Sequence, residues 1–270
     1  MIPVVLISDS SKDDIYLSIL KYSFTHQIPS AKIFLCLVSQ EDNIKKSAAN
    51  ILLSNHSFND NTIYFLEVNT SNQKTNQKIL LIQYDSKWII TPDNGIVGLL
   101  EKDKIQNIYY WKEFISSSFY AKNEQLNALK NLVDNNFSVS KDWTIISFED
   151  CEKIMWPNTI QRNSNQREIQ IIPPVMYIDA YQNIILKFKK SEYDDLIKNY
   201  NVKISVPFYD IDKIYSTYNQ EKNSEAVALF NDAGYLEIAM NGAKLAPLIA
   251  NKNIFSKDNY FIIIKLTPKL

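Results

Sequence analysis

The chain has 270 residues, 46% hydrophobic and 22% charged, with 29 Lys and Arg against 30 Asp and Glu for a formal net charge of -1. That length and composition fit one large or two smaller globular domains and exclude disordered and fibrous architectures. Near-neutral charge with no basic stretch excludes the footprint of a nucleic-acid binder, and no apolar run approaches the roughly 20 residues that cross a membrane.

The opening residues, MIPVVLISDSSKDD, lack a basic n-region and turn acidic early, so they read as a strand and not as a secretory signal. VVLIS (4–8) is a continuous apolar run that ends in the polar turn Asp9-Ser10-Ser11. Apolar spacing at Ile15, Ile19, Leu20 and Phe24 predicts a helix over 13–24, with Ser11 or Asp13 as its N-cap. KIFLCLV (32–38) reads as a second buried strand and 43–53 as a helix. IYFLEV (63–68) and KILLIQY (78–84) are strands on either side of the polar run NTSNQKTNQ (69–77). WIIT (88–91) enters a Pro-Asp-Asn-Gly turn, and 123–133 is helical. Strands alternating with helices predict an N-terminal α/β domain over 1–156 with a largely parallel sheet covered on both faces.

Residues 157–174 are polar, carry prolines and lack a period, which reads as a linker. Beyond it come VMYID, NIILKFKK, VKISVPFY, EAVALFN, GYLEIAM and YFIIIKL, interrupted by one short helix, EYDDLIKN. This pattern predicts a smaller C-terminal antiparallel β domain over 175–270, a sandwich or barrel-like.

Chemistry-bearing residues are sparse. His26 and His56 are the two histidines and read as loop or surface residues. Cys36 and Cys151 are far apart and read as reduced, buried thiols of a cytoplasmic protein. No spacing suits a zinc or iron site, and the usual general base near neutral pH is scarce. The four glycines, Gly95, Gly98, Gly234 and Gly242, exclude a Gly-rich phosphate cradle and mark places of positive φ or close approach.

Asp9 leaves the first strand at the edge where open α/β sheets bind ligands, and Asp14 follows it. Two carboxylates there suit vicinal hydroxyls or an ammonium group. Alternatively, Asp9 caps the helix and Asp14 is a solvated first-turn acid favoured by the dipole.

Four segments in order resemble motifs of the S-adenosylmethionine hydroxide adenosyltransferase family, which includes the fluorinases and chlorinases. SDSSKDDIYLSILKYSF resembles T/S-D-F-G-x-x-D-x-Y-V-G-x-M-K-G through Ser8, Asp9, Asp14, Tyr16 and Lys21. WIITPDNGIVGLL resembles the family's aromatic–PDNG–apolar turn. YIDAYQNIILKF resembles D-x-F-G-N through Asp179, Tyr181 and Asn183, and NDAGYLEIAMNGAKLA resembles G-x-L-E-I-A-x-N. The resemblance implies a homotrimer with the ligand between the large domain of one subunit and the small domain of its neighbour. It gives Asp9 the ribose hydroxyls, Asp14 and Asp179 the methionine ammonium, Asn183 the adenine edge and Tyr181 a place beside it. The backbone around Gly234 to Gly242 would close the adenine pocket. S-adenosylmethionine or adenosine is then substrate or ligand, with no separate cofactor, metal, nucleic acid or membrane partner.

The family's water-activating side chains are replaced. V-D-P-G-V-G-x-x-R reads VNTSNQKTN, with Asn69 for Asp and Asn76 for Arg, and Lys78 as the nearest cation. F-H-G-R-D reads FYAKN, with Tyr120 for His and Lys122 for Arg. Ala121 stands where the halogenase branch has a hydroxyl, so halide chemistry has no support. Ser10 and Ser11 replace Phe and Gly in the first motif, and Gln182 replaces Gly in the third. Hydrolysis needs no acid for a leaving methionine that departs neutral, while losing a general base costs about 10²–10⁴-fold. The sequence therefore predicts slow hydrolysis at best to adenosine and L-methionine, with Asn69 and Tyr120 holding the water. The alternative is a catalytically inactive pseudoenzyme kept as a trimeric binding scaffold.

Overall fold

The computed structural model describes residues 1–68, 78–111, 120–165, 168–218, 224–249 and 262–269. It divides into two units, Met1–Met155 and Trp156–Leu270.

The first unit contains β1 (Ile2–Ser8), α1 (Ile15–Gln27), β2 (Ala31–Leu37), α2 (Asn43–Ser54), β3 (Ile63–Glu67), β4 (Ile79–Tyr84) and β5 (Lys87–Pro92). β6 (Ile105–Trp111), α3 (Tyr120–Asp134) and β7 (Trp143–Ile146) follow. The strands form one sheet in the order β2-β1-β3-β5-β4-β6-β7. β2, β1, β3 and β5 run parallel. Only two residues, Asp85 and Ser86, join β4 to β5, too few for a parallel crossover, so that pair is a hairpin and the β4-β6-β7 half is antiparallel. The expected parallel character belongs to four strands. Every residue of β3 and β5 is buried. On one face Val4, Leu6, Ile63 and Phe65 pack with Leu17, Leu20 and Phe24 of α1 and with Leu129 and Leu132 of α3.

β2 differs from its reading as a buried strand. It is the edge of the sheet, and Phe34, Leu35 and Leu37 are exposed. An apolar run reports a strand without telling an edge from an interior position. Cys36 on this strand is half-buried, with its thiol pushed up by that burial. β6 was not legible because IQNIYYW mixes polar and aromatic residues.

The second unit contains β8 (Ile160–Asn165), β9 (Glu168–Ile172), β10 (Val175–Ile178), β11 (Ile184–Lys189), α4 (Lys190–Asn199), β12 (Tyr200–Val206) and β13 (Tyr209–Ile211). After these come β14 (Ala226–Phe230), β15 (Tyr235–Met240), α5 (Leu245–Ile249) and β16 (Ile263–Pro268). They form two sheets, β10-β11-β15-β14 and β13-β12-β16-β9-β8. All named strand pairs here are antiparallel. Leu186 and Ile238 of one sheet share a core with Ile204 and Ile264 of the other.

Residues 157–174, expected to be a linker, contain β8 and β9. β9 pairs with β16 through Ile171↔Ile264 and Ile169↔Leu266. Its alternation places Ile171 and Ile169 on the core and leaves polar residues between them, and β8 ends the sheet. Strands of that kind have the composition of a loop. Among the described residues no helix is long and apolar enough to cross a membrane.

Candidate functional site

Parallel strands bring their carboxyl ends to one edge of a sheet, and there the chain must leave the ladder and expose polar backbone. In the first unit the buried polar side chains Ser8, Glu67, Thr91, Asn94 and Gln125 lie at or beside those ends. Asp9 is the first residue beyond β1. Its backbone N donates to Glu67 O at 3.3 Å, and its Oδ2 accepts from Asn43 Nδ2 at 2.6 Å. Asn43 opens α2, so the carboxylate is tied to the start of the second helix. Glu67 is 1% exposed, and its Oε2 accepts from Ser8 Oγ and, at 3.2 Å, from Ser10 Oγ.

Asp14 caps α1. With φ -71° and ψ 125° it is in the extended region an N-cap needs, and its Oδ1 accepts from Tyr16 N at 2.8 Å. Neither Ser11, Asp13 nor Asp9 has that role. Tyr16 is exposed beside it. Asp9 and Asp14 thus take different anchors, Asn43 and the first turn of α1.

Gln125 was not singled out by sequence reasoning. It is wholly buried on α3, and its Nε2 donates to Leu66 O at 2.7 Å and Ile90 O at 3.2 Å. The β3–β5 register ends at Phe65↔Ile90, so this amide satisfies carbonyls where the two strands part. A flipped amide would set Oε1 against two carbonyl oxygens, which fixes its orientation. Oε1 is left buried with no hydrogen-bond partner. Tyr120 is the first residue of α3, five positions earlier. Asn69 lies outside the described residues.

The Pro-Asp-Asn-Gly turn is built for close approach of the chain to itself. Asn94 Nδ2 donates to Val68 O at 3.3 Å, and Gly95 has φ 94°. A Cβ on Gly95 would stand 2.7 Å from Ile154 Cγ1, and one on Gly98 would strike the Ile154 carbonyl oxygen. These two glycines make room for residues 153–155.

In the second unit a cavity of about 610 Å³ is lined by Asp179, Tyr181, Asn183, Tyr218, Gly242 and Lys244, among others. Asp179 and Asn183 bracket the turn from β10 to β11. Asn183 N donates to Asp179 Oδ1 at 2.8 Å and Asn183 Nδ2 to Asp179 Oδ2 at 3.0 Å. Asn183 is 8% exposed, whereas Tyr181 is 77% exposed. Gln182 has φ 68°, and its carbonyl accepts from Ala246 N at 3.0 Å. The glycine of D-x-F-G-N has therefore gone while the left-handed backbone remains.

Tyr218 Oη donates to Glu237 Oε1 at 2.7 Å. Burial first, and then the hydrogen bond and charge of Glu237, push the phenol up, and the Asp179 carboxylate adds to this. Glu237 was legible in principle, as the one charged residue of a strand buried at every position. Gly242, at φ 69°, lines the cavity. Gly234 does not: it turns the β14–β15 hairpin at φ 78°, with open space where a Cβ would stand. The six residues of β15 separate the two glycines.

Known proteins place this arrangement in context. The family model "SAM hydroxide adenosyltransferase N-terminal domain" matches residues 4–129, and "SAM hydroxide adenosyltransferase C-terminal domain" matches residues 174–252. An uncharacterized conserved protein from Thermotoga maritima superposes with a TM-score of 0.76 at 14% identity, covering 98% of this chain and 99% of that one. A conserved hypothetical protein from Thermus thermophilus does so at 0.68 and 13%, covering 98% and 100%. At such identities the likeness shows the fold alone. Peptide chain release factor 2 of Campylobacter jejuni is 27% identical over 150 residues, 55% of this chain and 36% of that protein. The match spans about a third of that relative's own length and carries none of its activity across.

Proposed function

The chain belongs to the S-adenosylmethionine hydroxide adenosyltransferase family, and on that premise we propose that it binds S-adenosylmethionine or adenosine and hydrolyses the former slowly at best. The observation that carries this reading is Asn183, whose backbone N and side-chain amide are each held by one oxygen of Asp179 at the wall of the second unit's cavity. One Nδ2 hydrogen is taken by Asp179, which leaves the other hydrogen and Oδ1 for a ligand. An amide offers a donor beside an acceptor, and adenine offers the complementary amino group beside a ring nitrogen. Tyr181 and Tyr218 add aromatic faces suited to a purine.

Asp179 is in this reading a positioning residue for Asn183. Each Asp179 oxygen accepts one bond from Asn183 and keeps a further lone pair, so the methionine ammonium is shared by Asp14 and Asp179. Asp9 takes the ribose hydroxyls. A carboxylate favours an ammonium group by charge and a diol by paired hydrogen bonds.

In the reaction a water oxygen bonds to C5′ as the C5′–S bond breaks. The electron pair goes to sulfur, methionine leaves as a neutral thioether, and the proton of the water passes to solvent. Alignment and desolvation supply the acceleration. Asn69 and Tyr120 hydrogen-bond the water without accepting its proton at neutral pH. Assembly as a homotrimer is part of the same proposal.

A second reading, a catalytically inactive binding scaffold, is favoured by the joint loss of Asp, Arg and His at positions 69, 76 and 120. Chromatography of S-adenosylmethionine incubated with the protein separates the two. Adenosine and methionine in equal amounts, abolished by Asp9→Ala, establish hydrolysis. Binding without product leaves the scaffold, and an absence of heat on titration with either ligand at millimolar concentration overturns the first reading.

A further inference from the structure

β3 is buried at every position, and its first four residues, Ile63 to Leu66, are apolar or aromatic. Glu67 ends that run with a carboxylate at 1% exposure. Burying a carboxylate is costly unless it is fully hydrogen-bonded, and an apolar residue of similar size carries no such cost. Stability alone therefore gives no reason for glutamate here.

Its hydrogen-bond partners point to another reason. Ser8 and Glu67 stand opposite each other in the β1–β3 register, and Ser8 Oγ donates to Glu67 Oε2. Ser10 Oγ donates to the same oxygen at 3.2 Å, and Ser10 N donates to Ser8 Oγ at 3.0 Å. The backbone N of Asp9 donates to Glu67 O at 3.3 Å. These bonds close a ring around one residue, Asp9, with Glu67 on the far side of it. Asn43 then fixes the Asp9 carboxylate from α2.

We propose that Glu67 is the positioning residue that sets Asp9 to accept ribose hydroxyls, and so governs selectivity for the sugar; this rests on the nucleoside-binding reading above. Two features of the sequence then explain each other. Ser10 stands where the family motif has Phe, and its hydroxyl is used by a carboxylate that β3 would otherwise have no cause to bury. Serine and glutamate together shape the strand tip in place of the Phe-Gly turn.

Titration calorimetry of the full chain with adenosine and 2′,3′-dideoxyadenosine tests this. Wild type should prefer adenosine by about tenfold or more, the scale of charge-assisted hydrogen bonds. Glu67→Val should bring that ratio below about threefold while leaving the dideoxynucleoside affinity within about twofold, and Ser10→Ala should move it the same way. Glu67→Gln, whose Oε1 in the place of Oε2 still accepts from both serines, should keep most of the preference. A purely structural Glu67 would instead lower thermal stability and both affinities together, with the ratio intact.

A folded Glu67→Val that keeps the wild-type ratio overturns the proposal. Should that variant fail to fold, full preference in Ser10→Ala overturns it equally. Wild type binding both nucleosides alike overturns it while leaving adenine binding in place; wild type binding neither overturns the nucleoside reading itself.

Discussion

Asn183 closes on Asp179 through two hydrogen bonds at once, backbone N to Oδ1 at 2.8 Å and Nδ2 to Oδ2 at 3.0 Å. One carboxylate thereby fixes both the backbone of the turn and the plane of the amide. Rigidity of that kind lowers the entropy a ligand must remove on binding.

Asp179→Ala should release the Asn183 amide without removing an assigned contact to adenosine, which carries no ammonium group. A hydrogen bond to a charged group contributes about 1.5–3 kcal/mol, so adenosine affinity should fall by about ten- to a hundredfold. Titration calorimetry reads this directly. Unchanged affinity in the variant would remove the positioning role.

Gln182 sits between them at φ 68°, a conformation that costs an L-residue about 1–2 kcal/mol. Glycine relieves that cost but gives back unfolded-state entropy of about 0.4–1 kcal/mol. Gln182→Gly should therefore stabilise the chain by about 0.5–1 kcal/mol in urea unfolding, and Gln182→Val should destabilise it. Destabilisation by glycine would show that the Gln182 side chain contributes more than its weak 3.5 Å contact to the Asp179 carbonyl suggests.

Gln125 donates to both Leu66 O and Ile90 O at the end of the β3–β5 ladder. Gln125→Met keeps the volume and removes both bonds. Stranding two buried carbonyls at about 1–3 kcal/mol each should cost about 2–4 kcal/mol, with the unpartnered Oε1 returning part of the loss. Equilibrium unfolding would measure it, and a loss under about 1 kcal/mol would mean that water replaces the amide.

How much of this was legible in the sequence depends on the range of the interaction. β1, β3, β4 and β5 are apolar runs bounded by polar turns and could be read locally. β9 could not, because a half-exposed strand of alternating polarity looks like a loop. β2 was read as a strand but not as an edge, since its neighbour is decided by topology. The same distinction holds at the site. Asp9, Asp14, Asp179 and Asn183 stood out through motifs a few residues long. Glu67 and Gln125 did not, since their bonds to Ser8 and to Leu66 each join residues 59 positions apart.

Stability should fall in alkaline solution for a defined reason. Burial pushes the Tyr64 hydroxyl up to about 12, against the opposing effect of its hydrogen bond with Ser54, and Tyr84 and Tyr218 shift the same way. Above about pH 10 the unfolded chain loses these protons while the folded chain keeps them, so the folded state binds more protons and loses stability as pH rises. That contribution is fully present below about pH 10 and declines toward about pH 12 for Tyr64. Urea midpoints at about pH 9 and 11 should differ in wild type and differ less in Tyr64→Phe. An equal gap in both would contradict the assignment.

The most direct test of the central claim compares adenosine with inosine by titration calorimetry on the full chain. Inosine exchanges the amino donor for a carbonyl acceptor and the N1 acceptor for an N–H donor while leaving the sugar unchanged, so it probes the groups that read the adenine edge. Saturable adenosine binding is predicted, with inosine weaker by about tenfold or more and the difference abolished in Asn183→Ala. Equal binding of the two nucleosides by wild type, or no heat with adenosine at millimolar concentration, would contradict it.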